Sequence, residues 1–119
     1  MKESTIDHLK HLRDTAARNL DEARGKLAAD AATRDAHHLA FALDRLAGCE
    51  GRLFVLGNVL RLLDGGNAGQ VRAFLLMHAT RGAEDSWSGR TNDAVRSRFD
   101  GVLAAVREVS ETLDAAETR

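Results

Sequence analysis

At 119 residues the chain is long enough for one domain, but Leu, Ile, Val and Phe together supply only 28 positions, so its core is thin. A formal net charge of -1 removes any overall electrostatic pull toward nucleic acid or an anionic membrane surface. Proline is absent, β-branched and aromatic residues are sparse, and Ala, Leu, Arg, Glu and Asp dominate, which excludes a β-rich fold and favours helix throughout.

The first predicted helix runs from about Ser4 to Ala29, with Ile6, Leu9, Ala16, Leu20, Ala23 and Leu27 facing inward. Arg13 interrupts that heptad, and Leu12 beside it is the expected substitute. Acid-before-base pairs at helical spacing (Asp7–Lys10, Asp14–Arg18, Asp21–Arg24, Glu22–Lys26) mark the outer face, each contributing only ~0.2–0.5 kcal/mol. Thr33 is the expected N-cap of a second helix, with Asp35 near the positive end of its dipole. Asp30-Ala31-Ala32-Thr33 is a weak stop, so the two helices form either a hairpin, the preferred reading, or one continuous rod.

The second helix runs to Asp64 and ends at Gly65-Gly66, a left-handed C-terminal cap. Its latter half, Leu53 to Leu63, is apolar on nearly all sides, which places it at the centre of the fold. Gly48, Gly51 and Gly57 lie inside it and imply either close approach by a neighbouring backbone, the preferred reading, or a kink near Cys49. Asn67-Ala68-Gly69-Gln70 has capping-box spacing for a short third helix, Ala68 to Arg81, with Val71, Phe74, Leu75 and His78 on one face and Gly82 as its end. A polar linker, Ala83 to Arg90, carries the single tryptophan, Trp87. Thr91 then caps a last helix in which Val95, Phe99, Val102, Val106, Val109, Leu113 and Ala116 recur at spacings of 4, 3, 4, 3, 4 and 3. That seam requires another helix to bury it.

Few residues point to chemistry. Cys49 is alone, so no internal disulfide forms, and inside an apolar helix it behaves as a small hydrophobe. His8, His11 and His78 converge near Cys49 and Glu50 if the helices fold back as hairpins, while His37 and His38 lie at the far end. The Glu-x-x-His pairs of bundle metal centres are missing, so scattered histidines are the preferred reading. No nucleophile elbow or dinucleotide fingerprint occurs, and no P-loop Lys follows the glycines at 65–69. No catalytic, cofactor or metal residue is singled out, and the expected protein is not an enzyme.

Two features point to binding. Arg72, Arg81, Arg90, Arg96 and Arg98 gather around the third helix, the linker and the start of the fourth, a density suited to phosphate contacts. Glu84, Asp85, Asp93 and Asp100 interleave with them. Trp87 is either a lid folded over the bundle end or an interface anchor.

Trp87-Ser88-Gly89, followed by Asp93-Ala94-Val95, Phe99-Asp100 and the seam to Ala116, resembles the second arm of the small secreted helical hairpins named for their Trp-x-Gly (WXG) turn. The resemblance implies that Trp87 and Gly89 form a turn between two long helices, in a dimer exported by a dedicated bacterial secretion system.

The expected fold is an all-α bundle of about four helices, residues 1–119 forming one domain, with a central apolar second helix and a heptad-patterned C-terminal helix. The expected function is a non-enzymatic protein–protein interaction module that binds a larger assembly as an adaptor or inhibitor, through Trp87, Arg90, Arg96 and Arg98. The thin core adds an expectation of homo-oligomers, and 14 Arg against 3 Lys a bacterial or phage origin. The alternatives are nucleic-acid binding through the Arg81–Arg98 cluster and a WXG-like secreted protein. The first residues lack the apolar stretch of a signal peptide and no segment is apolar enough to span a membrane, so a cytoplasmic protein is expected.

Overall fold

The computed structural model describes residues 2–33, 35–87 and 93–117, with side chains at 82–87 and 93–94 outside the description. Four helices account for nearly all of it: α1 (Glu3–Thr33), α2 (Ala36–Asp64), α3 (Val71–Trp87) and α4 (Asp93–Glu117), with a 3₁₀ turn (Ala68–Gln70) leading into α3. They pack into an all-α bundle with no strand among the described residues. None of these helices is long and apolar enough to cross a membrane.

The first two helices are separate, which decides the hairpin against the rod. The break is made two residues later than expected: Asp35, in extended conformation, caps α2 by accepting from the His37 and His38 amides at 3.0 and 3.2 Å. Thr33 is instead the last residue of α1, its hydroxyl donating back to the Asp30 carbonyl at 2.8 Å. A carboxylate is the better partner for the positive helix end, and the His38 amide foremost holds Asp35 below the usual carboxylate range.

At its other end α2 closes as read. Gly66 takes φ +77°, its N–H donates to the Leu63 carbonyl at 3.2 Å, and the Asn67 N–H reaches the Leu62 carbonyl at 2.8 Å. Those two bonds form a Schellman cap, and the φ at Gly66 favours glycine. The Asn67 side chain makes no capping bond, so the expected capping box does not form. Gly82 does not end α3 either; the helix continues through it to Trp87, because a single glycine costs only ~1 kcal/mol and helix-forming Ala83 and Glu84 follow. The expected linker is therefore helical as far as Trp87, and the cap at Thr91 lies outside the described residues.

The core is the contact of α2 with α4, flanked by α1 on α2 and α3 on α4. Val55, Leu56 and Val59 of α2 are buried with Val102, Ala105, Val106, Val109 and Leu113 of α4. Leu9 and Ala16 close one side, Val71 and Leu75 the other. The C-terminal seam is thus covered along most of its length, and Val95 at its start is exposed. On α1, Leu9, Ala16, Leu20 and Ala23 face inward as expected, but Thr5 and Asp30 are buried too, Asp30 paired with Lys26 at 3.2 Å. Of the expected pairs, Asp21–Arg24 forms at 3.7 Å, whereas Asp14 is held by its neighbour Arg13 at 3.0 Å.

Glycines set the spacing of the central pair. A Cβ on Gly101 would run into the Gly48 carbonyl, and one on Gly51 into the Arg98 carbonyl. Close approach accounts for Gly51, while Gly48 presents its carbonyl to Gly101 and a Cβ of its own would meet the Ser97 carbonyl only at 3.4 Å; Gly57 has open space around it. The long α1 and α2 make the molecule 50 × 31 × 23 Å, with a radius of gyration of 15.8 Å. A compact chain of this length would have about 13–14 Å.

Chemical denaturation will separate crowded glycines from open ones. Gly101→Ala is expected to destabilise by about 1–3 kcal/mol through overpacking. Gly25→Ala, in α1, is expected to stabilise by up to about 1 kcal/mol, since helix propensity improves and nothing lies within 4 Å of the added Cβ.

Candidate interaction surfaces

The residues expected to meet a partner lie around the end of α3 and the start of α4. Trp87 is the last residue of α3, its side chain outside the described residues, and Arg90 is outside them altogether. Arg96 and Arg98 are both exposed on α4, and Arg98 pairs with Glu50 of α2 at 3.8 Å. Arg72 does not join them. It binds Asp114 and Glu117 of α4 at 2.9 Å each, which also raises its pKa, Glu117 contributing most. Sixteen residues of α4 separate Asp114 from Arg98, about 24 Å of helix. The expected five-arginine patch is therefore divided: antiparallel pairing of α3 with α4 puts Arg72 at the opposite end of the bundle.

The histidines are scattered, the reading preferred from the sequence, and do not gather around Cys49 and Glu50. His8 faces a cleft beside Arg52, Glu108 and Thr112, His11 is exposed, and His78 packs edge-on to Phe54 at 5.2 Å and against Phe74 at 4.5 Å. Among the described residues no group of three His, Cys, Asp or Glu is placed to hold a metal ion. Cys49 is half-buried and lines a groove of about 400 Å³ with Gly48, Gly101 and Ala104.

The His8 cleft, about 530 Å³, is lined mainly by polar residues and joins three helices. Arg52 of α2 pairs there with Glu108 of α4, and the Thr112 hydroxyl donates to the Glu108 carbonyl at 2.8 Å. The second carboxylate oxygen of Glu108 is buried without a hydrogen-bond partner among the described residues. This arrangement ties α4 to α2; both charges are about a third exposed, so the pair adds on the order of 1 kcal/mol or less.

A feature missed in the sequence lies on the outside of α3. Leu76 is 70% exposed and its neighbour Met77 55%, while Phe41 on α2 reaches 72%. Helical spacing held the signal: with Val71, Phe74, Leu75 and His78 turned inward, Leu76 and Met77 fall outside that face. Comparison with protein families, curated proteins and solved structures found no match to this chain.

Burial, then the charge of Arg81, holds His78 below the ordinary histidine range. The unfolded chain therefore takes up its proton first as pH falls through about 6.5, and folding stability declines below that value until the folded group also protonates. Denaturation midpoints measured from pH 7.5 to 5.5 should fall less steeply in His78→Phe, which keeps a ring beside Phe54 and Phe74.

Proposed function

We propose that this protein is a non-enzymatic protein–protein interaction module, acting in the cytoplasm as an adaptor or inhibitor on a larger bacterial or phage assembly. The observation that carries the reading is the adjacent pair Leu76 and Met77, two large apolar side chains held mostly in solvent on the outer face of α3. Scattered single apolar residues are ordinary on a surface, but two consecutive large ones this exposed leave apolar area over a broad arc of α3 that gains by being covered. Methionine is suited to such contacts because its unbranched side chain adapts to the opposing surface. Trp87, Arg90, Arg96 and Arg98 are the proposed polar and aromatic contributors near the end of the same helix and the start of α4.

Affinity capture from the native host tests the reading. The wild type should retain a stoichiometric protein partner. Leu76→Ser/Met77→Ser should weaken retention at least about tenfold while leaving stability within about 0.5 kcal/mol, as surface changes do. Arg96→Ala/Arg98→Ala should weaken it less and make it less salt-sensitive. Capture of no partner, or capture unaffected by both variants, overturns the proposal. A mobility shift with nucleic acid that weakens steeply with salt would replace it with the nucleic-acid reading.

A further inference from the structure

We propose that two copies of this chain pair antiparallel across the open cleft between the first turns of α1 and the last turns of α2. The cleft is about 680 Å³ and is lined by those two helices alone. Its floor is apolar, with Ile6 and Leu63 half-buried and Leu60 buried. Gly57 opens its wall: a Cβ there would meet nothing within 4 Å, in contrast to Gly51 and Gly101, which the chain's own backbone fills. A mid-helix glycine costs ~1 kcal/mol relative to Ala, and within one copy nothing offsets that cost. A helix from a second copy seated in the notch does.

The charges on the rim select the occupant. Glu3, Asp7 and Asp64 stand at one end, because antiparallel pairing of α1 with α2 sets Asp64 beside the start of α1. Lys10 and Arg13 stand at the other, ten residues from Glu3 to Arg13, or about 15 Å. Arg61 lies among the acids, hydrogen-bonded to Asn58, and Arg13 makes an exposed pair with Asp14 at 3.0 Å. The acidic end thus keeps an excess of negative charge and the other end a positive one. A two-fold rotation lays each acidic end on the other copy's basic end, whereas a parallel copy would oppose like charges. A rim of one sign would call for a partner of the opposite sign; this rim complements itself.

Light scattering and sedimentation from micromolar to millimolar protein test the pairing. The wild type should dimerise. Lys10→Glu/Arg13→Glu and Glu3→Lys/Asp7→Lys should each raise the dissociation constant at least about tenfold, and mixing them should restore a one-to-one heterodimer. Gly57→Trp, which fills the notch, should also dissociate the dimer with helix content unchanged. A wild type that stays monomeric throughout, or that dimerises despite both charge reversals, overturns the proposal. So does a mixture that fails to pair, or a different protein bound in the cleft of a monomeric chain. The cleft shares no residue with Leu76, Met77, Arg96 or Arg98, so loss of the dimer and loss of partner capture are read separately.

Discussion

The contact on which the rest of the bundle depends is the approach of α2 to α4 at Gly48, Gly51 and Gly101. No side chain intervenes there, so the Gly48 and Arg98 carbonyls occupy the space a Cβ would take on the facing helix. That proximity makes modest side chains sufficient: Val55 and Val59 fill the gap to Val102, Val106 and Val109 without larger groups. Close packing gives each small residue its full complement of dispersion contacts, which compensates in part for the small area each one buries.

With α2 and α4 as the central pair, α1 and α3 become flanks. They make no contact with each other among the described residues, so neither closes the other's open side. The clefts beside α1 and the exposed residues on α3 follow from that arrangement. A larger core would have drawn the flanking helices together; one with so few large apolar side chains leaves grooves whose rims are charged. The Arg52–Glu108 and Glu50–Arg98 pairs cross such seams and contribute more to which helices meet than to total stability.

Much of this was legible in the residues. Apolar spacing identified each helix, and the Gly65-Gly66 stop was correct because a Schellman cap is local, requiring little beyond a residue tolerant of positive φ. Choices between two local solutions failed. Thr33 and Asp35 both qualify as caps, and the carboxylate won; Asn67 and Gln70 had the right spacing, yet the chain entered α3 through a 3₁₀ turn. Gly82 had the composition of a stop but lay in a segment otherwise able to continue the helix. The arginine patch divides for a different reason: nearness in sequence is not nearness in space, and a 17-residue helix carries Arg72 well away from Arg98.

By itself the sequence determined the helical class and the inward faces of α1, α3 and α4, because periodicity and propensity act within a few turns. Tertiary structure alone decided which glycines meet a backbone and which open onto solvent, since Gly51 and Gly57 are indistinguishable in sequence until α4 is placed. It also decided which charges share an end of the bundle and which apolar residues are left over. Those properties depend on the relative placement of whole helices, which small interlocking contacts set and local pattern does not encode.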